Sequence, residues 1–225
     1  MRDGTSDVEA WVLQLPGGAA FRGSWGVNPT GRRQIAEYIV DQLWGQVPAV
    51  LDAGTTAFEV VNALARRRAG GPNELHTNNL AVLISALHFQ MPCKLLGGPV
   101  DPSHLCTLPD FTPDVLKTFL PAGEFQTVVT AASVRVSGTG ITIRARRPDQ
   151  FTFKKSLLAL ARYKTIAIDH TKWTDPFDGQ FEFEVPLAGV RIVVDKLPPA
   201  STGGPGLAAT CSNAGVELHV SSRES

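Results

Sequence analysis

Short apolar runs and longer amphipathic stretches alternate along most of the chain. The run at residues 49–51 is too short for a helix and is closed at once by polar and glycine residues. In residues 58–65 the apolar positions recur at helical spacing, which predicts a helix that buries one face. Short buried strands separated by helices are typical of a parallel sheet. The pattern therefore predicts an α/β fold, a mostly parallel doubly wound sheet of about seven strands with helices on both faces.

The same pattern places the individual elements. Strands are predicted at residues 49–51, 74–77, 93–96, 126–132, 165–168, 190–194 and 215–220. Helices are predicted at residues 33–44, 58–65, 80–89, 107–121, and from near residue 153 to residue 161. Thr30 is the predicted N-cap of the first of these helices. Residues 198–209 are rich in Pro, Gly and Ser, so we predict a surface loop there.

Residues 1–31 depart from this alternation. Glycine and proline interrupt them repeatedly, at Pro16, Gly17, Gly18, Gly23, Gly26 and Pro29. Glycine and proline at this density disfavour long helices, so the segment is predicted to be irregular. A short strand at residues 12–15 is an alternative for part of it. The predicted organisation is this irregular segment, 1–31, followed by one α/β domain, 32–225.

Composition limits the class of protein. The chain has 225 residues, 43% of them hydrophobic, which is enough for one sizeable domain with a full core. Its 21 Lys and Arg residues balance 21 Asp and Glu residues, so it lacks the basic excess typical of nucleic-acid-binding proteins. The arginine clusters at residues 66–68 and 144–147 are interpreted as solvated faces.

Cysteine and hydropathy patterns bear on compartment and cofactors. The three cysteines lack Cys-x-x-Cys spacing, which predicts neither a disulfide framework nor a thiolate metal site, and no cofactor is expected. No apolar run reaches transmembrane length, and the charged N-terminus does not look like a signal peptide. The prediction is a cytoplasmic protein with no membrane partner.

Candidate binding residues follow the predicted strands, where open α/β sheets bind ligands. The first such segment runs from Asp52 to Thr56. Gly54 would let an anion approach the backbone, while Thr55 and Thr56 offer hydroxyl and N–H donors at a helix N-terminus. This chemistry suits phosphate. The alternative is that Thr55 serves only as an N-cap.

Five further residues are candidates for the same site. Asn78 follows the second strand and either contacts the ligand or is an ordinary helix cap. Gly97 and Gly98 follow the third strand and either belong to the site or form a simple turn. Lys154 is predicted at the start of a helix, where the helix dipole disfavours a positive charge. The residue is therefore either a lysine that contacts a bound anion or a solvated surface lysine. Lys172 could reach a carboxylate or a ligand phosphate, or cap its own turn.

No catalytic constellation stands out in the sequence. It contains no Gly-x-Ser-x-Gly elbow, Walker loop, Gly-x-Gly-x-x-Gly run or histidine-rich metal spacing, and its five histidines are scattered. We therefore predict no catalytic residues and no metal ligands, and expect a protein that is not an enzyme.

The order of the motifs is more specific than any one of them. They are Val50-Leu-Asp-Ala-Gly-Thr-Thr56, Leu75-His-Thr-Asn-Asn-Leu80, Lys94-Leu-Leu-Gly-Gly98, Phe153-Lys-Lys, Ala167-Ile-Asp-His-Thr-Lys172 and Ile192-Val-Val-Asp195. In this order and approximate spacing, the chain from about residue 32 onward resembles the C-terminal effector-binding domain of DeoR-family transcriptional regulators. The resemblance implies the fold shared by ribose-5-phosphate isomerase and CoA transferases.

The resemblance also implies a ligand and a pocket. Domains of this family bind phosphorylated sugars or related metabolites. The residues that would line the pocket are Asp52, Gly54, Thr55, Thr56, Asn78, Gly97, Gly98 and Lys154, with Lys172 as a less certain member.

The chain departs from the family in three places. The family carries an N-terminal winged helix-turn-helix, whereas residues 15–20 here resemble only the tail of its wing and linker. The sequence thus looks like a regulator that lacks its DNA-binding domain, or like a fragment of a regulator, and direct DNA binding is not expected. Gln150, or Asp149, stands where the family has an acidic residue ahead of Lys154, and residues 124–127 lack a further family aspartate.

Three functions follow from these observations. The first is a sensor whose conformation or oligomeric state responds to a small phosphorylated metabolite. The second is an isomerase-type enzyme, which would need a carboxylate after a middle strand, where residues 130–134 carry none. The third is a protein-interaction module that pairs with itself or with a full-length regulator and forms inactive mixed oligomers.

Overall fold

A parallel sheet of seven strands forms the centre of the molecule. The computed structural model describes residues 5–67, 74–120, 123–137, 140–145, 147–173, 181–186, 189–197, 204–213 and 216–221. Within them the strands are β1 (Ala49–Leu51), β2 (Leu75–Thr77), β3 (Cys93–Leu95), β4 (Val100–Asp101), β5 (Cys106–Thr107), β6 (Gln126–Thr130), β7 (Ser133–Val136), β8 (Ile141–Arg144), β9 (Tyr163–Ile168), β10 (Glu182–Val185), β11 (Val190–Val194) and β12 (Glu217–Val220). The helices are α1 (Thr5–Gln14), α2 (Ala19–Trp25), α3 (Pro29–Tyr38), α4 (Thr55–Arg67), α5 (Leu80–His88), α6 (Pro113–Lys117), α7 (Pro148–Leu160) and α8 (Gly204–Asn213).

The sheet has the order β12-β11-β9-β6-β1-β2-β3, and its pairings are parallel. The chain builds outward from β1 to β3, then returns to β6 and continues to β12 on the other side. The strand order therefore reverses between β1 and β6, the kind of position where open α/β sheets bind ligands. The predicted α/β fold with a mostly parallel sheet is confirmed.

Each face of the sheet has its own hydrophobic core, because successive strand residues point to opposite sides. Val50 packs on one side with residues of α6, α7 and α8, whereas Leu51 packs on the other with residues of α1 to α5. Burying a side chain such as Leu or Phe contributes about 1.5–3 kcal/mol. Helices thus cover both faces, as the sequence predicted. Of the helices described, none is long and apolar enough to span a membrane.

The prediction of an irregular segment at residues 1–31 is wrong. From residue 5 onward the segment forms α1, α2 and the start of α3. No strand forms at residues 12–15, because Val12 lies in α1 and is completely buried. Gly17 and Gly18 adopt φ values of +84° and +60° and separate two helices rather than preventing them. The cap of α3 is Asn28 rather than Thr30, since its side chain accepts a hydrogen bond from the Gly31 N–H at 3.1 Å.

Tertiary contacts hold these N-terminal helices in place. The rings of Phe21 and Trp25 pack on Phe58 of α4, with centroids 5.9 and 5.3 Å away. Arg32 is 2% exposed, lies 3.4 Å from the carboxylate of Asp169 at the end of β9, and donates to the Trp25 carbonyl at 3.2 Å. The segment before residue 32 therefore shares a core with the predicted α/β domain.

Three other predictions also differ from the structure. Within the described part of the predicted 107–121 helix, residues 107–120, the α-helix is limited to α6, because Thr112 caps it and Thr107 pairs in β5. α7 begins at Pro148 rather than near residue 153. The predicted loop 198–209 contains the start of α8, while residues 198–203 lie outside the described residues. An antiparallel sheet of β10, β8 and β7 was not predicted.

Glu59 gives the fold a pH-dependent stability. This α4 carboxyl is 1% exposed, and burial, reinforced by Glu9, raises its pKa to about 7. The folded state then holds the proton more tightly than the unfolded chain, so stability is lost as the pH rises from 4.5 through about 7. Glu59→Gln is expected to raise the free energy of unfolding by roughly 2–3 kcal/mol at about pH 8, and to change it little at about pH 4. Urea denaturation at both pH values measures the difference.

The control for this prediction is Asp114→Asn. Asp114 lies on α6 with its side chain 92% exposed, in an ion pair with Lys117. Removing an exposed pair is expected to change stability by less than about 1 kcal/mol. Equal effects of Glu59→Gln at the two pH values would contradict the raised pKa.

Candidate functional site

A cavity of about 60 Å³ lies where the sheet reverses its strand order, beyond the carboxyl ends of β1 and β6. We call it the switch-point cavity. Segments from both halves of the chain and from α2 line it. The lining residues are Ala20, Phe21, Ser24, Ala53, Gly54, Thr55, His104, Thr130, Ala131, Ala132, Gln150, Lys154 and Lys172.

The turn between β1 and α4 forms one wall. Thr55 opens α4, so the first N–H groups of a 13-residue helix, which have no partner within the helix, lie at the cavity. Gly54 has a φ of +152°, and a Cβ there would lie 3.0 Å from Thr130 Cγ2 and closer still to its hydroxyl. A glycine is thus required for the close packing of β1 against β6. The Thr130 hydroxyl in turn donates to the Ala53 carbonyl at 2.8 Å.

Lys154 and Asp52 form a buried ion pair beneath the cavity. Their side chains are 4% and 1% exposed. The Lys154 ammonium also donates to the Thr130 carbonyl at 2.8 Å, and the Asp52 carboxylate accepts from the Thr130 N–H at 3.0 Å. Burial raises the pKa of Asp52, and the positive charge of Lys154 opposes that rise. The pair joins β1, β6 and α7 at one point.

The interpretation of Lys154 from the sequence needs two corrections. The alternative of a solvated surface lysine is wrong, because Lys154 is 3% exposed. The helix-dipole argument fails as well, since α7 begins at Pro148 and Lys154 lies in its second turn. The side chain is held by the Asp52 carboxylate across the sheet rather than by the helix end.

His104 is a cavity residue that sequence reasoning missed. Its Nδ1 lies 2.7 Å from the carboxylate of Asp101, which also forms an ion pair with Arg147. Burial would raise the pKa of Asp101, but hydrogen bonds from the His104 side chain and backbone bring it below its usual value. Arg147, interpreted from the sequence as part of a solvated face, has this structural partner. The spacing Asp101-Pro-Ser-His104 in a polar loop was the available signal.

Lys172 also reaches the cavity. Its Nζ lies 3.7 Å from the carboxylate of Asp169, and its side chain is 16% exposed. The predicted reach toward a carboxylate is therefore confirmed. Asp169 is shared with Arg32, so Lys172 and the N-terminal helices are attached to the same group at the end of β9.

Five predicted site residues do not line the switch-point cavity. Asp52 is one of them, because its carboxylate is buried beneath the cavity in the ion pair with Lys154. Asn78 donates to the Thr107 carbonyl at 3.1 Å, and the cap of α5 is Asn79, whose side chain accepts from the Ala81 N–H at 3.0 Å. Thr56 is 1% exposed within α4. Gly97 and Gly98 line a different cavity, beside β3.

The described residues offer no group of three or more His, Cys, Asp and Glu side chains that could hold a metal ion. The switch-point cavity is lined by a helix N-terminus, hydroxyl groups, an amide, an imidazole and two ammonium groups. These are groups that bind anions and hydroxyl-bearing ligands.

Comparisons with known proteins give distant structural likenesses. No protein-family model matches the chain, and no curated protein matches it in sequence. The chain is similar to ribose 5-phosphate isomerase A from Methanocaldococcus jannaschii, with 13% identity, a TM-score of 0.43 and coverage of 64% of this chain and 54% of that one. It is similar to eIF2B beta from Chaetomium thermophilum, with 13% identity, a TM-score of 0.46 and coverage of 85% and 57%.

The third likeness is to a probable sor operon regulator from Shigella flexneri, with 9% identity and a TM-score of 0.41. It covers 90% of this chain and 97% of that one. By contrast, the chain spans about half the length of the ribose 5-phosphate isomerases, 54% and 52% of two of them.

Proposed function

We propose that the protein is a sensor that binds a small phosphorylated metabolite, such as a sugar phosphate, in the switch-point cavity and does not turn it over. The observation that carries this proposal is the meeting of the α4 N-terminus with Lys172 and His104 at the reversal of strand order. The motif order that resembles the effector-binding domain of DeoR-family regulators supports the same ligand class.

The electrostatics of the cavity favour a phosphate. Lys154 is paired with Asp52 beneath the cavity, and Lys172, which is paired with Asp169, brings a second cation to the cavity wall. Backbone N–H groups at the start of α4 add the positive end of a helix dipole, and the Thr55 hydroxyl can donate as well. Gln150 offers an amide for the hydroxyl groups of a sugar.

The size of the cavity favours a conformational response. A volume of about 60 Å³ holds a few water-sized groups and not a complete sugar phosphate. Phe21 and Ser24 of α2 form part of the cavity wall. Two hydrogen bonds hold α2 in place: the Gly18 N–H donates to the Pro102 carbonyl at 2.6 Å, and the Phe21 N–H donates to the Ser103 carbonyl at 3.1 Å. We expect a complete sugar phosphate to extend beyond this volume and to shift α2, which would couple binding to the N-terminal helices.

An isomerase-type enzyme is the second candidate, and one observation favours it. With His104 Nδ1 directed at the Asp101 carboxylate, the Nε2 of this imidazole is left for the cavity, as in a general base. Against it, the buried carboxylates of Asp52 and Asp101 are both held in ion pairs. The two candidates differ in whether a bound sugar phosphate is converted.

Thermal unfolding in the presence of ribose 5-phosphate, other sugar phosphates and inorganic phosphate tests the proposal. A ligand at 100 times its Kd adds about 2.7 kcal/mol to the stability of the folded state. Thr55→Val and Lys172→Met are each expected to weaken binding at least about tenfold, because each removes a donor to phosphate. Thr56→Val is the matched control, since it removes a neighbouring hydroxyl that does not line the cavity.

Two outcomes would count against a sensor. If no sugar phosphate raises the melting temperature, or if Thr55→Val and Lys172→Met bind like the unchanged protein, the cavity is not the site. If NMR of the ligand shows conversion that is lost in His104→Asn, the protein is an enzyme of the second kind.

A further inference from the structure

Asp169 presents one carboxylate oxygen to two cations. Arg32 Nη2 lies 3.4 Å from Oδ2, and Lys172 Nζ lies 3.7 Å from the same oxygen. The other oxygen, Oδ1, accepts from the N–H of Thr171 at 3.2 Å and from its hydroxyl, so it is engaged by the turn that follows β9. Asp169 is completely buried, which strengthens its interaction with each cation.

Each cation weakens the interaction of the other with this oxygen. Hydrogen bonds from a cationic N–H to a carboxylate are about 2.7–2.9 Å long, and the two distances at Asp169 are both longer. Two positive charges beside one oxygen also repel each other. Removal of either cation is therefore expected to leave the other more strongly bound to Asp169.

The two cations lead to different parts of the molecule. Lys172 lines the switch-point cavity, and Arg32 is not among the residues that line it. Arg32 belongs to α3 and donates to the carbonyls of Ser24 and Trp25 at the carboxyl end of α2, the second of these at 3.2 Å. Through Arg32 and Asp169, the junction of α2 and α3 is attached to the end of β9.

We propose that the Asp169 carboxylate couples anion binding in the switch-point cavity to the N-terminal helices. A phosphate in the cavity attracts Lys172, Asp169 then interacts more strongly with Arg32, and the attachment of α2 and α3 to the sheet is strengthened. Arg32 holds the carboxyl end of α2, so the shift expected of α2 is largest at its amino end. This coupling rests on the proposed sugar-phosphate sensor for its ligand.

The coupling is reciprocal, because two linked sites change each other's free energy by the same amount. Without Arg32, Lys172 is held by Asp169 alone and is less available to a phosphate. Loss of Arg32 should therefore weaken ligand binding, although Arg32 does not line the cavity.

A double-mutant cycle of Arg32→Met and Lys172→Met tests the shared oxygen without a ligand. Loss of Arg32 alone leaves Asp169 with Lys172, whereas in Lys172→Met it leaves a buried carboxylate without either cation. Arg32→Met is thus expected to raise the equilibrium constant of unfolding at least about tenfold more in Lys172→Met than in the unchanged protein, measured by urea denaturation. Lys155→Met, at an exposed lysine of α7, is the matched control and should not be coupled to Arg32→Met. If the doubly substituted protein does not fold, adding Asp169→Asn should restore folding.

Calorimetric titration with ribose 5-phosphate tests the coupling to the ligand. Arg32→Met is expected to weaken binding at least about fivefold. Adding Asp169→Asn to Arg32→Met frees Lys172 and should restore the affinity. If Arg32 acted only by holding α2 in place, Asp169→Asn would not restore binding, because it does not replace the contacts of Arg32 with Ser24 and Trp25.

Three results would overturn this coupling. They are additive losses in the unfolding cycle, ribose 5-phosphate binding that Arg32→Met leaves unchanged, and a loss of affinity that Asp169→Asn does not restore. Failure of the sensor gives a different result. If neither ribose 5-phosphate nor any other sugar phosphate binds the unchanged protein, both proposals are wrong, whereas binding that is the same in Arg32→Met leaves the sensor standing and removes the coupling.

Discussion

Replacing Lys154 with methionine is expected to lower the free energy of unfolding by about 3–5 kcal/mol, because it leaves a buried charge without its partner. The side chains of Lys154 and Asp52 are 4% and 1% exposed. Methionine has a similar shape, so the variant retains the packing and loses the charge. The remaining Asp52 carboxylate still accepts a hydrogen bond from the Thr130 N–H at 3.0 Å. It either stays charged in a buried site, which destabilises the folded state, or takes up a proton. The loss should therefore grow as the pH rises, which urea denaturation at about pH 5 and about pH 8 would measure.

A double-mutant cycle distinguishes the ion pair from simple loss of packing. Asp52→Asn alone leaves the ammonium of Lys154 buried without its carboxylate, so this variant is also expected to be strongly destabilised. The variant with both replacements has no unpaired charge and should be more stable than either single variant. Losses that add in the double variant would contradict a coupled pair.

Gly54→Ala is expected to lower the free energy of unfolding by about 2–4 kcal/mol, from backbone strain and overpacking together. The residue has a φ of +152°, which side chains rarely adopt, and a Cβ there would lie 3.1 Å from Thr130 Cβ. Relief would require β1 and β6 to separate at the cavity. We therefore expect weaker sugar-phosphate binding as well, measured in the same thermal-unfolding experiment.

Gly97→Ala is the matched control for this glycine. Its added methyl group meets no heavy atom within 4 Å. It is expected to change stability by no more than about 0.5 kcal/mol, the usual range for surface substitutions. If the two alanine variants lose similar stability, the close approach of Gly54 to Thr130 does not constrain the fold.

Most elements of the sheet could be predicted from sequence because their signals are local. The strands at residues 49–51 and 190–194 match β1 and β11, and an amphipathic period marks α4. Such patterns depend only on which face of a short segment is buried. The helices before residue 29 could not be predicted in this way. Glycine and proline lie between and after these two helices, at residues 16–18, 26 and 29, and the burial of Phe21 against Phe58 is a contact between distant segments.

The candidate site shows the same distinction between local sequence patterns and contacts between distant segments. The segment with Gly54 and Thr55 was recognisable because a glycine-threonine turn between a strand and a helix is a local anion-binding pattern. His104 and the α2 residues were missed because only the fold brings them to the cavity. Gly97, conversely, is predicted for that site and lines a different cavity, beside β3.

By itself the sequence determined the fold class, the central strands and the glycine-threonine turn after β1, all of which follow from residues near one another in the chain. Tertiary structure decided that Lys154 pairs with Asp52 and that His104 joins the cavity. The physical reason is that burial and partner choice depend on which segments meet across the sheet. A local pattern of polar and apolar residues does not show which distant segments come into contact.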